Sequence, residues 1–161
     1  MKIDELDLEL LSPAERSAFK RAAGQTIAQS QRTLGMFYAK KPYSVSQWDE
    51  EAFFAALCMA CLWKDDQRGR VLPMEQCLAI IAENDSLKRR VNNVLDTAWD
   101  PENGNMLSVK LARLARMLRS GDTGISPDFD LLYRDLCFWN APGRSVQKRW
   151  ARDFYTPKSE E

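Results

Sequence analysis

The chain has 161 residues, 45% hydrophobic and 29% charged, with 23 Lys plus Arg balanced by 23 Asp plus Glu and no histidine at all. That length and balance describe a folded protein able to bury most of its apolar side chains. The missing imidazole excludes Ser-His-Asp and Cys-His nucleophile systems, histidine metal ligation and histidine acid-base catalysis.

In chain order, Met1 to Glu9 carries Asp4, Glu5, Asp7 and Glu9 against Lys2 alone. This is the opposite of the basic start of a secretory or transit signal, and a cytoplasmic location is expected. Ser12, Pro13, Ala14 and Glu15 read as an N-cap, a proline in the first turn and a capping-box carboxylate. A helix begins there, with Ala18, Phe19, Ala22 and Ala23 on its packed face and Lys20 and Arg21 beside it, until Gly24 interrupts. Gln25 to Lys41 is predicted helical as well, and Pro42 ends it. Ser46 with Asp49 predicts a second capped helix, Gln47 to Trp63, apolar enough to be the central core helix. Its apolar run, Ala52 to Trp63, is too short to cross a bilayer.

Asp65 to Arg70 reads as a polar loop, after which Pro73 opens a helix through Cys77, Leu78, Ile80 and Ile81. Asp85 or Ser86 caps the next helix, whose stripe is Leu87, Val91, Val94, Leu95 and Ala98, with Lys88, Arg89 and Arg90 clustered at its start. Cations at a helix N-terminus oppose the macrodipole, which hints at an external anion. Asp100 to Asn105, DPENGN, is the clearest linker. It divides an N-terminal sub-bundle, residues 1–99, from a C-terminal one, residues 100–161. Met106 to Ser120 then forms an amphipathic helix, at about 100° per residue. Leu107, Leu111, Leu114, Ala115 and Leu118 fall on one arc and Lys110, Arg113, Arg116 and Arg119 on the other. No Asp or Glu lies between Glu102 and Asp122, so these cations lack an acidic partner on their own helix. Gly121 closes it, and Gly124 to Pro127 reads as a turn. Ser126 and Pro127 cap a helix bearing Phe129, Leu132, Tyr133 and Leu136, which Asn140 to Gly143 stop. The last helix, Ser145 to about Tyr155, places Val146, Trp150, Ala151, Phe154 and Tyr155 on one side and Arg144, Lys148, Arg149 and Arg152 outside.

No stretch alternates with period two between hairpin turns. The expected fold is all-α, a bundle of about seven to eight short helices. Cys58, Cys61, Cys77 and Cys137 lie in apolar helical stretches and are expected reduced and buried. The Cys58/Cys61 pair has no second C-x-x-C or histidine to complete a zinc site, so core packing is favoured over a metal or redox role. The carboxylate pairs, Asp65/Asp66 and Asp49 to Glu51, suit solvated positions, and Asp128, Asp130 and Asp135 are spread around a helix. No Walker or Rossmann glycine motif occurs. No catalytic residue, metal site or cofactor is expected.

Basic residues recur at Lys20/Arg21, Lys88 to Arg90, Lys110 to Arg119 and Arg144 to Arg152. From Ser86 to Ser120 there are seven cations against three anions, inside a chain whose net charge is zero. Two readings stay open: solvated faces with Arg stems covering apolar neighbours, or a track for a phosphate backbone. Trp99, Trp139, Trp150 and Tyr155 could stack bases, yet all four sit at core spacing, and burial is favoured.

The pattern resembles the CasB family, the small subunit of the type I-E CRISPR surveillance complex Cascade, from about Glu15 to Tyr155. The resemblance rests on Ala18-Phe19-Lys20-Arg21-Ala22-Ala23-Gly24, Phe37-Tyr38, the apolar helix Phe53 to Trp63, Lys88-Arg89-Arg90-Val91 and Leu111-Ala112-Arg113-Leu114. It is completed by Asp128-Phe129 with Leu132, Leu136 and Trp139, and by Trp150-Ala151-Arg152-Asp153-Phe154-Tyr155. It implies a helical, noncatalytic subunit present in two copies, touching the repeated backbone subunit and the large subunit, and helping to hold the guide RNA-target DNA hybrid and the displaced strand. By position, the basic surface carries over to Lys20, Arg21, Arg89, Arg90, Arg113, Arg116 and Arg119, and further to Arg144, Lys148, Arg149 and Arg152, with Lys110 added from the helix pattern. The neutral net charge departs from what a strong DNA binder would show, so the isolated subunit is expected to bind free DNA weakly. Two other classes fit the residues: a helical adaptor docking acidic protein surfaces, and a helix-turn-helix regulator, against which the long DPENGN linker argues.

Overall fold

In the computed structural model, which describes residue 8 and residues 11–63, 69–121 and 123–156, the capping signal at Ser12 forms in full. The Ser12 hydroxyl accepts from the Glu15 N–H at 3.1 Å and the Glu15 carboxylate accepts from the Ser12 N–H at 2.9 Å. Two orphan donors of the first turn are thereby satisfied, and α1 runs Pro13–Arg21. The chain continues through α2 (Leu34–Lys40), α3 (Glu50–Ala60), β1 (Arg70–Leu72), α4 (Met74–Ile81), α5 (Asp85–Leu95), α6 (Met106–Ser120), β2 (Ile125–Pro127), α7 (Phe129–Cys137) and α8 (Ser145–Tyr155). The expected helical bundle is present, with eight α-helices among the described residues. The acidic N-terminal stretch and most of the polar loop after Trp63 lie outside those residues.

The departures have local causes. Between Gly24 and Thr33 the backbone makes turns rather than the predicted helix. There the Gln29 side chain accepts from the Thr26 N–H at 2.9 Å, the Thr26 hydroxyl accepts from the Gln29 N–H at 3.2 Å, and Thr33 donates to Ser30. Polar side chains thus take donors that a helix would use. Ser46 and Asp49 bond to each other through their side chains, and Gln47–Asp49 is a single 3-10 turn leading into α3. Two caps are shifted: Asn84, rather than Asp85 or Ser86, accepts from the Leu87 N–H, and Asp128, rather than Ser126, accepts from the Leu131 N–H. Ser126 and Pro127 belong instead to β2, which pairs parallel with β1 in the register Arg70↔Ile125, Val71↔Ser126 and Leu72↔Pro127. A Cβ on Gly69 would lie 1.9 Å from the Gly124 carbonyl oxygen, so only glycine lets the strands meet there.

The core is organised on α3, where every residue from Ala52 to Ala60 is buried. A helix apolar on all sides is stable only when surrounded, and α1, α6 and α7 supply the surroundings. Phe54 meets Phe37 edge-on at 5.3 Å and Phe19 at 6.3 Å, while Phe53 meets Tyr133 at 5.3 Å. Each such side chain contributes roughly 1.5–3 kcal/mol by burial. Cys58 and Cys77 lie in the same core, and burial pushes the Cys77 thiol up to about 12. Although the Asp100–Asn105 linker separates them in sequence, α3 packs on α7 and α4 on α8, and their apolar side chains join one cluster. The chain entering the linker is tied down, since the Asn140 side chain both donates to the Trp99 carbonyl at 2.8 Å and accepts from the Trp99 N–H at 3.0 Å.

Candidate nucleic-acid interface

Helix α6 buries Leu107, Leu111, Ala112, Leu114, Ala115 and Leu118, which turns the arc of Arg113 and Arg116 outward by the helical period. Two neighbours flank that arc. On one side lies the end of α1: the Arg116 guanidinium donates to the Ala23 carbonyl at 3.1 Å and the Asn105 amide donates to the Gly24 carbonyl at 3.0 Å. Gly24 has φ +94, a backbone conformation that favours glycine, and its Cα packs against α6 so closely that a Cβ there would touch that of Ala112 at 3.4 Å. On the other side lies α5: Arg90 contacts the Met117 sulfur at 3.0 Å and Lys110 donates to the Thr97 hydroxyl at 2.8 Å. Each contact pairs a later residue of one segment with an earlier residue of the other, so α5 and α6 run antiparallel.

Around the C-terminal half of α6 the structure therefore assembles Lys20 and Arg21 from the last turn of α1, Arg113, Arg116 and Arg119 from α6 itself, and Arg89 and Arg90 from α5. The ends of α1 and α6 favour cations through their macrodipoles. Lys20, Arg21, Lys88, Arg89 and Arg113 are exposed, and their side chains make no hydrogen bond or ion pair with a described residue. Helix α8 extends the face beyond α5, where Tyr155 donates to Asn92 at 2.7 Å and Arg144 donates to the Leu95 carbonyl at 2.5 Å. Arg144, Lys148 and Arg152 are one turn apart on the side of α8 that borders α5. Arg144 also lies 3.8 Å from Asp96, whereas the side chains of Lys148 and Arg152 are exposed without a described partner.

Arg149 does not join them. One residue past Lys148 is about 100° around the helix, and that rotation aims Arg149 at α4 and α7. Its guanidinium pairs with Asp135 and lies 3.2 Å from Glu75, and the Trp150 N–H donates to the same Asp135 oxygen at 2.9 Å. Glu75 is 0% exposed and its Oε1 has no partner. Burial, with Asp135 adding to it and Arg149 opposing, raises its carboxyl to about 7. This is an internal ion network, unlike the outward cation that spacing alone predicts. Trp139 and Trp150 are likewise internal, edge to face at 5.4 Å; Tyr155 is exposed.

Sequence reading passed over Arg32, which stands exposed beside Arg21 across a cavity, because it lies in a segment predicted as helix with no basic neighbour. It also passed over Tyr43 and Trp48, 104% and 86% exposed.

The fold and this face define a mainly helical protein with a cationic surface that its own carboxylates leave largely unanswered. Residues 15–155 match the family of the CRISPR-associated protein Cse2, and the chain belongs to that family. Solved structures agree in fold. CasB from Thermus thermophilus superposes with a TM-score of 0.69 at 25% identity, covering 95% of this chain and 94% of that one. A chain of a CRISPR RNA-guided surveillance complex gives 0.72 at 24% identity, covering 96% and 87%. CasB of M. ruber gives 0.70 at 19% identity, covering 95% and 90%. No curated protein sequence matches. Among the described residues no helix is long and apolar enough to cross a membrane.

Proposed function

We propose that this chain is a noncatalytic small subunit of a type I-E Cascade-like RNA-guided complex, where its basic face holds the backbones of the guide RNA-target DNA hybrid and the displaced DNA strand. Base pairing supplies sequence recognition in such assemblies, so the protein needs only phosphate contacts, and unpartnered Arg and Lys provide them. The observation that carries the reading is the convergence of α1, α5 and α6 around Arg113, three segments remote in sequence that bring cations to one place. Family membership and the likeness to a chain of an RNA-guided surveillance complex support it. The partners are the backbone and large subunits of the complex and a second copy of this chain. With net charge zero, much of the affinity comes from the assembly.

The test is target-DNA binding by the assembled complex as a function of salt. If the face of this subunit meets four phosphates of a single strand, its share of the salt slope is about minus three. Changing Arg113, Arg116 and Arg119 together to Ala is expected to remove about two units of that slope. Unchanged affinity and slope would overturn the role of α6.

A further inference from the structure

A cavity of about 380 Å³ opens between α1 and the turns that follow it, lined by Ala18, Arg21, Ala22, Gln25, Gln29, Ser30, Gln31 and Arg32. Its lining holds two arginines and no acid. Both arginines are exposed and have no hydrogen-bond or ion-pair partner among the described residues. Of the other polar groups, the Gln29 side-chain oxygen is occupied by the Thr26 N–H, leaving its NH₂, and Ser30 already accepts from Thr33, leaving its O–H, while the Gln25 and Gln31 amides each offer an NH₂ beside a carbonyl. Ala18 and Ala22 form an apolar floor. Such a donor-rich hollow suits a ligand that only accepts hydrogen bonds and carries negative charge. Arg21 stands at the edge of the face around α6, since Arg116 is bonded to the Ala23 carbonyl at the same turn of chain. The hollow is thus continuous with that face.

We infer that this hollow is a phosphodiester subsite, seating one nucleotide unit of a single strand whose phosphate bridges Arg21 and Arg32. The cavity has the size of a small-ligand pocket, and without an aromatic in its lining it holds phosphate and sugar edges rather than stacking a base. The inference rests on the reading of α6 as a backbone track and extends that track past α1 to a residue outside the basic runs.

Side-chain NMR of the full chain tests it, following the Arg Nε–H and Gln NH₂ signals during titration with oligothymidylate and, separately, with inorganic phosphate. Oligothymidylate is expected to move the Arg32, Arg21 and Gln29 signals saturably, and Arg32→Ala to remove the Gln29 shift and lower the salt slope by about 0.7. Arg113 signals that move while those of Arg32 and Gln29 stay still would overturn the subsite and leave the α6 track standing. If none of these signals moves up to millimolar oligothymidylate, where even weak binding by the isolated subunit registers, the track reading fails with it. Saturation by inorganic phosphate at concentrations where oligothymidylate has no effect would make the hollow a free-anion site and overturn the nucleic-acid assignment.

Discussion

Arg113 on α6 and Arg149 on α8 look alike in sequence, each an arginine on the polar side of an amphipathic helix among further cations. In the folded protein they have opposite surroundings. Arg113 is exposed between the end of α1 and α5 with no carboxylate in reach on its own helix, while Arg149 sits between two buried acids contributed by α4 and α7. One charge is available to an external anion, and the other neutralises the interior. Helical phase decides the matter, because a step of one residue along α8 carries a side chain from the outer row of Lys148 to the inner contact with Glu75.

The largest effect that would sharpen this contrast is on stability. Arg149→Met leaves Asp135 and Glu75 buried without a counter-charge, and breaking a buried pair in this way costs about 3–5 kcal/mol. Chemical denaturation is expected to show that loss without a change in the salt slope of DNA binding. An Arg149→Met protein of normal stability but a weakened slope would reverse the roles assigned to the two arginines.

A second measurement uses pH. Glu75 has its carboxyl raised from 4.5 to about 7. The unfolded chain then loses this proton first as pH rises, so the stability associated with protonated Glu75 is full below about 4.5 and is lost as pH climbs through about 7. Glu75→Gln, which keeps a neutral side chain of the same shape, is expected to flatten the decline in that window. A decline of the same steepness in the two proteins would mean that folding leaves the Glu75 carboxyl near its ordinary value.

The smallest effect is at Arg113. Arg113→Ala removes an exposed side chain without a described partner, and stability is expected to stay within about 0.5 kcal/mol of the parent by denaturant titration. A larger loss would show that the arginine stem is holding apolar surface together, the solvated-face reading of this helix.

Capping chemistry made several elements legible in advance. Ser12 to Glu15 specified the start of α1 because both halves of a capping box are local groups within one turn. The bounds of α6 and α8 followed from amphipathic stretches closed by Gly121 or opened after Gly143, and α3 from an apolar run that has to be surrounded. The turns after Gly24 were read as helix because Gln29 and Ser30 bond locally in ways that composition does not reveal. The β1–β2 pair was invisible for a related reason: three-residue strands are too short to display alternation, and three helices separate the two in the chain.

By itself, then, the amino-acid order determined where most of the helices form, which face of each is oily and where cations recur. These are short-range properties, set by the 3.6-residue period and by side chains within a turn of one another. Tertiary structure alone decided which cations act together: the antiparallel docking of α5 on α6, the close approach of Gly24 to Ala112 and the turning of Arg149 toward Glu75 and Asp135. Those outcomes depend on distances between segments remote in the chain, and a charge is answered or left open by whatever the packing brings within a few ångströms of it.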